Sequence, residues 1–261
     1  MAIYSLINQK GGVGKTTSTI NIGSVLAKKG YNVLLIDTDP QGNLSTGIGF
    51  PKNQLKQTIY DILINEEAIT KAIYKSDIEN IHILPATLKL SNAEMMLAGQ
   101  MERESKLKRA INKNEKVASF YDYILIDTPP SVGILTQNAA VATDKILIPV
   151  HTSSFDIEGI THLFNLVNRV KENLNPDLDI LGAFISSVDS RRNIIKFKKT
   201  LDELFNGKSF KTILHTYSKV EEAINKQTPL NIYDKNSKAA KELEKLVDEI
   251  LKREENSIAA H

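Results

Sequence analysis

The sequence contains no cysteine among its 261 residues. It therefore cannot form disulfides, and it offers no thiolate ligand for zinc or for an iron–sulfur cluster. This absence excludes the redox and cluster-carrying classes of protein that depend on cysteine ligands. It is also compatible with a reducing compartment such as the cytoplasm.

Long apolar runs and export signals are missing as well. No stretch approaches the roughly 18 consecutive apolar residues expected of a membrane-spanning helix. The N-terminal segment "MAIYSLINQ" has no basic residues ahead of an apolar core, as a signal peptide would have. We therefore expect a cytoplasmic protein that does not bind membranes.

The composition is that of an ordinary globular protein, with 41% hydrophobic and 25% charged residues. No internal repeat, low-complexity tract or change of composition marks a linker. We predict one domain over residues 1–255 and a disordered tail over residues 256–261. The "AAH" at the end of that tail is compatible with the remnant of a purification tag.

Charge is distributed unevenly along the chain. The formal net charge is only +2, which by itself favours no class of partner. Residues 186–226, however, contain nine Lys or Arg and five Asp or Glu. The excess of four positive charges in this region is larger than that of the whole chain, so basic residues are concentrated there.

Short β-branched runs alternate with longer amphipathic segments. This pattern predicts an α/β fold with a mostly parallel sheet and helices on both faces. The near-continuous apolar run at residues 33–36 indicates burial on both faces of the sheet. Strands are predicted at 2–8, 32–37, 80–86, 121–127, 145–150 and 179–187. Helices are predicted at 15–29, 89–111, 133–142, 157–174, 194–204, 220–226 and 238–253.

A glycine-rich decapeptide, "NQKGGVGKTT" at residues 8–17, lies between the first predicted strand and helix. It follows the phosphate-loop pattern G-x-x-x-x-G-K-[ST], except that Gln9 replaces the first glycine and Lys10 adds a second lysine. Backbone N–H groups of such a loop, together with the helix N-terminus, bind phosphate. Lys15 would neutralise the β- and γ-phosphates, and Thr16 would complete a Mg²⁺ shell. The predicted loop contacts are Gly11, Gly12, Val13, Gly14, Lys15, Thr16 and Thr17.

Two further segments place aspartates at the carboxyl ends of apolar strands, where α/β sheets bind ligands. They are "LLIDTDPQGN" (34–43) and "YILIDTPPS" (123–131). A buried, unpaired carboxylate costs several kcal/mol, whereas one beside Mg²⁺ is stabilised. We therefore predict that Asp127 holds the metal through water, although each aspartate taken alone could equally cap a helix.

Taken together, "KGGVGKT", "DTDPQ" and "IDTPPS" resemble the deviant Walker A ATPases, and among them the ParA/Soj partition ATPases more than the MinD branch. "TIYDIL" (58–63), "ILPAT" (83–87) and "VDSRRN" (188–193) extend the resemblance over most of the chain. The similarity is close in the nucleotide motifs and loose after about residue 187. Because the loop begins near the tenth residue, the chain resembles the small form without an N-terminal helix-turn-helix domain. Operator-specific DNA binding is not expected of that form.

The resemblance implies ATP and Mg²⁺ as cofactors and a slow ATPase that is gated by dimerisation. Lys10 would reach across an ATP-bound homodimer to the phosphates of the partner's nucleotide. Asp39 would position the attacking water, and Asp37 would support the side of the site that holds Mg²⁺ and Lys15. The implied catalytic residues are Lys10, Lys15 and Asp39, and the implied metal-holding residues are Thr16, Asp37 and Asp127, the aspartates acting through water.

The resemblance also implies that the ATP-bound dimer binds nonspecific double-stranded DNA. It would associate with the nucleoid and be released when a ParB-like centromere-binding partner stimulates hydrolysis. The candidate DNA contacts are Arg191, Arg192, Lys196, Lys198, Lys199 and Lys219. The sequence departs from the family here, because Arg192 replaces a common threonine and "LHTYSK" replaces "IPRNVR", which leaves Thr216 at the position of the first arginine.

Two other functions remain open. A MinD-like membrane-associated ATPase would need a basic amphipathic helix near the C-terminus, but residues 238–255 carry five basic and six acidic side chains. We expect the apolar stripe of that helix, formed by Ala239, Leu243, Leu246, Val247 and Ile250, to pack on the domain instead. A metabolic ligase resembling dethiobiotin synthetase is the other possibility. Whether DNA or a small acid stimulates ATP turnover distinguishes it from a partition ATPase.

Overall fold

The computed structural model describes residues 1–51, 55–153, 157–188 and 194–259, with side chains described as far as residue 256. The described residues form an eight-stranded sheet. The strands are β1 (Ala2–Leu6), β2 (Val33–Asp37), β3 (Tyr74–Lys75), β4 (Ile81–Leu84), β5 (Tyr123–Asp127), β6 (Lys145–His151), β7 (Asp179–Ser187) and β8 (Ser209–Ile213).

The strand order is β3-β4-β2-β5-β1-β6-β7-β8, and each neighbouring pair is parallel except β3 with β4. The carboxyl ends of the parallel strands therefore meet at one edge, which we call the carboxyl edge. At this edge Asp127 is in register with both Leu6 and Asp37. The segments that follow β1, β2 and β5 consequently lie beside one another.

Helices connect the strands and cover both faces of the sheet. They are α1 (Lys15–Lys28), α2 (Asn43–Gly47), α3 (Ile59–Ile64), α4 (Ala93–Leu97), α5 (Lys106–Asn112), α6 (Glu115–Phe120), α7 (Ile134–Ala142), α8 (Ile157–Asn173), α9 (Ile194–Leu204), α10 (Ser218–Asn225), α11 (Leu230–Tyr233) and α12 (Lys238–Ala259). Successive residues of β2 point to opposite faces. Leu35 packs with Leu26 of α1 and Leu246 of α12, whereas Leu34 packs with the cluster that contains α3, α4, α5 and α7. The sheet is thus buried on both faces.

The predicted α/β fold is confirmed, and the six predicted strands are all present with ends displaced by no more than two residues. Two strands were not predicted. Strand β3 has only two residues, too few for a periodic pattern to emerge, and it pairs antiparallel at the sheet edge. Strand β8 lies within residues 205–219, where the sequence pattern predicts neither a helix nor a strand.

The helix predicted at residues 89–111 is wrong. The segment instead forms 3₁₀ turns at Leu88–Asn92 and Arg103–Ser105, with α4 and α5 as separate short helices. The chain bends between them, and Glu102 adopts a left-handed conformation with φ of 51° that a helix interior does not allow. The break has a signal in the sequence, because residues 102–106 (ERESK) contain no apolar residue and Gly99 precedes them.

Four short helices and the true end of α12 also differ from the predictions. Helices α2, α3, α6 and α11 have between four and six residues, too few for a helical period to be detected. A signal for α3 was present, because Thr58 and Asp61 form a reciprocal capping box. Helix α12 continues to Ala259, so residues 256–259 of the predicted disordered tail are helical.

Gly182 in β7 is expected to be the least replaceable glycine of the sheet. A Cβ atom there would lie 2.3 Å from the carbonyl oxygen of Lys208 and 2.6 Å from a guanidinium nitrogen of Arg253. We predict that Gly182→Ala lowers the free energy of unfolding by about 1–3 kcal/mol, because backbone must move to accommodate the methyl group. Urea unfolding measures this change. Gly99→Ala is the matched control, since a Cβ at Gly99 meets no atom within 4 Å. Equal stabilities of the two variants would contradict the prediction.

Candidate functional site

The loop between β1 and α1 lies at the carboxyl edge of the sheet. Gly12 and Gly14 have φ values of 74° and 82°, in the left-handed region that glycine adopts without a Cβ penalty. Gly14 occupies the N-cap position of α1, where it provides no side-chain cap for the helix N–H groups. The helix N-terminus therefore remains available to an anion that lies in the loop.

Lys15 is turned into the loop. Its side-chain ammonium donates to the carbonyl oxygens of Asn8, at 2.9 Å, and of Lys10, at 3.1 Å, and the residue is only 7% exposed. Burial lowers the pKa of Lys15, while the nearby Asp127 and Asp39 carboxylates oppose that effect. The loop thus contains a buried cation at the place where phosphate oxygens would lie.

Gln9 and Lys10 are the two residues that depart from the usual loop pattern. The backbone N–H of Lys10 donates to the side-chain oxygen of Asn8 at 3.0 Å, and its carbonyl oxygen accepts from Lys15. The backbone of Lys10 is therefore part of the loop, and its side chain is partly exposed at the rim. The side-chain nitrogen of Gln9 is buried and has no hydrogen-bond partner among the described residues.

Asp37 and Asp127 end adjacent strands and are both fully buried. The Thr16 hydroxyl donates to Asp127 Oδ2 at 2.6 Å. Asp127 Oδ1 and Asp37 Oδ2 find no hydrogen-bond partner within the described part of the chain. Neither aspartate caps a helix, because Gly42 and Gly133 occupy the N-cap positions of α2 and α7. The helix-cap interpretation of these two residues is therefore wrong.

The electrostatics of this pair favour a cation. Burial, followed by the charge of Asp127, raises the pKa of Asp37 well above its usual range, and burial likewise raises the pKa of Asp127. Two adjoining carboxylates with unpaired oxygens are costly unless a positive charge lies beside them. Carboxylate and hydroxyl oxygens are the ligands that Mg²⁺ prefers. The residues present thus fit a magnesium ion at this edge.

Asp39 lies close to the same group and is 9% exposed. Its Oδ1 accepts the backbone N–H of Gln41 at 2.9 Å, and its own N–H donates to Asp37 Oδ1 at 3.0 Å. These bonds fix the carboxylate of Asp39 relative to that of Asp37. The structure therefore brings together Lys15, Thr16, Asp37, Asp39 and Asp127, as the sequence predicts.

A cavity of about 250 Å³ adjoins the loop at Gly12, Val13 and Gly14. Gly14 and Thr17 line it from the loop and the first turn of α1, and Ser186 lines it from the end of β7. Thr216 and Tyr217 line it from the segment after β8. The Ser186 hydroxyl donates to the carbonyl oxygen of Val13 at 2.6 Å, which ties the end of β7 to the loop. The sequence motifs do not predict this cavity. The one feature of the sequence that could have indicated it is the pair Ser186 and Ser187 at the carboxyl end of β7.

The candidate DNA contacts are partly described. Arg191 and Arg192 lie outside the described residues. Lys196 and Lys199 are exposed on α9, whereas the ammonium of Lys198 donates to the carbonyl oxygen of Lys211 at 2.9 Å. Helix α9 follows the carboxyl end of β7, so its first turns lie at the same edge as the loop.

Lys219 lies in the first turn of α10. Its ammonium pairs with Glu222 at 2.8 Å and lies 5.7 Å from the ring centroid of Tyr233. Because α10 follows the carboxyl end of β8, Lys219 also lies toward the edge that carries the loop. Lys196, Lys199 and Lys219 therefore lie on helices that begin toward the edge that carries the loop.

Helix α12 buries its apolar stripe against the domain, as predicted. Ala239, Leu243, Leu246, Val247 and Ile250 all belong to the core cluster that contains α1. Tyr123 donates its hydroxyl to Glu254 at 2.9 Å, which fixes the last turns of the helix as well. Among the described residues, no helix has the length and apolarity needed to span a bilayer.

Comparisons with known proteins agree with this geometry. A family model described as an AAA domain matches residues 1–180, which include all the loop and aspartate residues named above. The chain is 41% identical to the sporulation initiation inhibitor protein Soj of Bacillus subtilis over 239 residues, covering 91% of this chain and 93% of Soj. It is 39% identical to the chromosome-partitioning ATPase Soj of Treponema pallidum over 249 residues, covering 95% and 96%.

A solved structure with a similar fold is cobyrinic acid a,c-diamide synthase from Mycobacterium smegmatis, determined with a bound ATP analogue and magnesium. The TM-score is 0.81 at 28% identity, with 95% of this chain and 93% of that chain covered. The same α/β framework therefore holds a magnesium nucleotide in that protein.

Replacement of Asp127 should have opposite effects on the stability of the nucleotide-free protein and on its stabilisation by Mg²⁺ and ADP. We predict that Asp127→Asn makes the nucleotide-free protein more stable, by about 1 kcal/mol, because one of two adjoining buried charges is removed. The same variant should lose the rise in thermal midpoint that Mg²⁺ and ADP together give the wild-type protein. Differential scanning calorimetry measures both effects.

Asp77→Asn, at an exposed aspartate on the opposite side of the sheet, is the matched control and should retain the full ligand-induced rise. A nucleotide-free Asp127→Asn protein that is less stable than wild type would contradict the prediction.

Proposed function

The chain belongs to the ParA/Soj family of chromosome-partitioning ATPases, and we propose that it segregates DNA through a cycle of ATP-dependent dimerisation, nonspecific DNA binding and slow hydrolysis. It is an ATPase that uses ATP and Mg²⁺. The observation that carries the proposal is the match to Soj proteins over more than nine-tenths of both chains. The cargo is DNA of a plasmid or a chromosome, selected by a ParB-like centromere-binding partner that stimulates hydrolysis.

The loop would hold the phosphates of ATP. Backbone N–H groups of residues 11–14 and of the first turn of α1 would face the phosphate oxygens, with Lys15 as the counter-charge. Thr16, Asp37 and Asp127 would hold Mg²⁺, the aspartates through water, and the ion would neutralise charge on the phosphates. The buried, unpaired carboxylate oxygens of Asp37 and Asp127 support this assignment.

The adjoining cavity would take the adenine and ribose. It begins at Thr17 and Gly14, where a nucleotide leaves a phosphate loop, and it has both apolar and polar walls as nucleoside sites do. Thr216 and Tyr217 lie on its far side. The Ser187 and Thr216 hydroxyls are 2.6 Å apart, so a nucleoside there would contact two segments that already bind one another.

Asp39 would orient the attacking water. Its carboxylate is nearly buried and is fixed by the N–H of Gln41. Phosphoryl transfer depends mainly on positioning and on charge neutralisation, so a site that lacks one cation is slow. In this proposal the missing cation is Lys10 of a second subunit. Hydrolysis is then gated by dimerisation and can time the release of DNA.

The geometry of the loop supports that role for Lys10. The ammonium of Lys15 donates to two carbonyl oxygens of its own loop. It would therefore contact the phosphates that are bound by its own subunit. Lys10 is anchored through its backbone and is partly exposed, which supports the proposal that its side chain meets a facing subunit. Each subunit would then supply one lysine to each of two nucleotides.

DNA binding would use the cations that lie at the carboxyl edge. Lys196, Lys199 and Lys219 are exposed or half-exposed there. Arg191, Arg192 and Lys198 complete the proposed set. Each neutralised phosphate contributes about −0.9 to the slope of log affinity against log salt. Joining two subunits doubles the number of phosphate contacts. The dimer would therefore bind DNA much more tightly than the monomer, although no individual contact changes.

A metabolic ligase is the second candidate function, favoured by the similarity to cobyrinic acid a,c-diamide synthase. Both functions use the same loop and magnesium site, so the site alone does not distinguish them. ATP turnover in the presence of double-stranded DNA decides between them. We expect DNA together with a ParB-like protein to stimulate turnover, and a ligase would respond to a small carboxylic acid instead.

Substitutions of Lys15 and of Lys10 should impair different steps of the cycle. We predict that Lys15→Ala weakens ATP binding by about 2–5 kcal/mol, because a buried cation beside the phosphates is lost. Lys10→Ala should bind ATP as a monomer with unchanged affinity, yet should neither dimerise nor hydrolyse ATP at the wild-type rate. Isothermal titration calorimetry measures affinity, and light scattering with a nonhydrolysable analogue measures mass. A Lys10→Ala protein that dimerises normally would refute the role proposed for Lys10.

DNA binding should require ATP and should be strongly salt-dependent. We predict that Lys196→Ala and Lys219→Ala each reduce the magnitude of the salt slope by about 1 per subunit without introducing sequence preference. Fluorescence anisotropy over a series of salt concentrations measures the slope. Lys116→Ala, an exposed lysine on α6 at the opposite edge, should leave it unchanged. Equal binding with ADP or without nucleotide would exclude the proposed cycle.

A further inference from the structure

Three of the four methionines of the chain lie within seven residues and are exposed. Apart from Met1, the methionines are Met95, Met96 and Met101, with 78%, 47% and 88% of their surface accessible. The core of the domain contains no methionine among its described residues. Leu88, in the preceding 3₁₀ turn, is 67% exposed. We call Leu88, Met95, Met96 and Met101 the methionine patch.

The patch is displayed by an ordered segment. Ala93 and Leu97 of α4 are fully buried in the core layer that also contains Leu84. The hydroxyl of Tyr60 donates to the sulfur of Met96 at 3.1 Å. The helix thus packs one side into the core and presents thioethers on the other. Clustered exposed apolar side chains mark interaction surfaces, and methionine is common where such a surface must adapt to its partner.

The patch lies at the carboxyl edge, close to the metal-binding carboxylates. Leu84, the last residue of β4, is in register with Ile36, which immediately precedes Asp37. The chain enters the patch four residues after Leu84. On its other side, the carboxylate of Glu94 lies against Gly133, in the loop that follows Asp127. Val132 of that loop is itself 37% exposed and adds to the apolar surface.

We propose that a second copy of this chain buries the methionine patch in the ATP-bound dimer. This inference rests on the proposed function, because it assumes that two subunits face one another across their loops. Such a dimer is two-fold symmetric, so each subunit contributes the same edge. The patch lies on that edge and is continuous with the loop after Asp127. The facing edges therefore bring apolar surface together along with the two nucleotides.

The chemistry of the patch favours protein over DNA as its occupant. Thioether and isobutyl groups provide no counter-charge for phosphate, which supplies most of the affinity in nonspecific DNA binding. The charges of this segment are mixed. Lys89 and Glu94 are exposed, Arg103 pairs with Glu104, and Glu102 pairs with Arg109. Charges of both signs around an apolar centre match the polar rim of a protein interface and can pair with their counterparts across a two-fold axis.

The proposal assigns a consequence to nucleotide binding. The loop that follows Asp127 connects the magnesium site to the patch through Val132 and Gly133. A partner seated on the patch would contact this loop directly. Occupancy of the metal site would therefore affect the stability of the dimer through the methionine patch as well as through Lys10. Loss of the patch would weaken the dimer without impairing nucleotide binding by the monomer.

Because the chain has no cysteine, a single introduced thiol reports unambiguously on this surface. The test measures the rate of maleimide alkylation of Met95→Cys and Met101→Cys with and without Mg²⁺ and a nonhydrolysable ATP analogue. Ile232→Cys is the matched control, since Ile232 is 53% exposed on α11, which packs near the C-terminal half of α1 away from the carboxyl edge. Light scattering on the same samples reports the oligomeric state.

We expect the analogue to slow alkylation of both patch thiols by at least about tenfold, the change that corresponds to a group accessible only in the minor dissociated fraction. Alkylation at Ile232→Cys should remain fast. Protection should disappear when the protein is diluted until light scattering reports monomer. Met95→Glu should likewise raise the dimer dissociation constant by at least about tenfold, with nucleotide affinity and thermal midpoint unchanged.

The outcomes separate this inference from the proposed function. A dimer that forms while both patch thiols stay fully reactive would overturn the inference and leave the proposed dimer intact. A wild-type chain that remains monomeric with the analogue would overturn both. Protection that persists in the diluted monomer would assign the patch to an internal rearrangement and overturn the inference as well.

Discussion

Parallel pairing of β1, β2 and β5 brings a phosphate loop and two buried carboxylates to a single edge of the sheet. Asp127 is in register with both Asp37 and Leu6, so no freedom remains in the spacing of these groups. The carboxylates are costly there, with raised pKa values and oxygens that find no partner within the described structure. In the function proposed above, a magnesium ion beside the two carboxylates would offset this cost.

The other features of the edge follow from that constraint. Lys15 balances part of the negative charge from within the loop, and Thr16 donates to Asp127. Helices α9 and α10 begin after the carboxyl ends of β7 and β8, so their cations lie toward the same edge. The methionine patch follows β4 and lies there as well. In the proposed function one surface would carry the nucleotide, the DNA contacts and the subunit contacts, so that a change at the nucleotide would reach the other two directly.

Much of this could be predicted from the sequence, for reasons that differ between residues. The loop and the strand-end aspartates were predictable because glycine, lysine and aspartate at those positions have few structural uses. The two-sided burial of β2 was likewise evident from residues 33–36. The break in the helix predicted at residues 89–111 did have a signal in the sequence. The left-handed turn at Glu102 begins a run of five residues, 102–106, without an apolar side chain.

Other features depend on tertiary contacts that no local pattern encodes. The cavity beside Thr17 is formed by segments distant in sequence, which meet where Ser186 donates to Val13. The methionine patch is apolar in sequence and would ordinarily be assigned to the core. Only the packing of Ala93 and Leu97 shows that Met95 and Met101 face outward. The hydrogen bond from the ammonium of Lys198 to the carbonyl oxygen of Lys211 likewise joins two segments that no local pattern relates.

Lys10, the additional lysine of the loop, is proposed to complete the nucleotide site of another subunit. A crystal structure with Mg²⁺ and a nonhydrolysable ATP analogue tests it most directly. We expect two subunits face to face, each burying one nucleotide, with the ammonium of Lys10 within hydrogen-bond distance of the phosphates held by its partner. A nucleotide-bound structure in which Lys10 of each subunit contacts only its own nucleotide or bulk solvent would contradict the account.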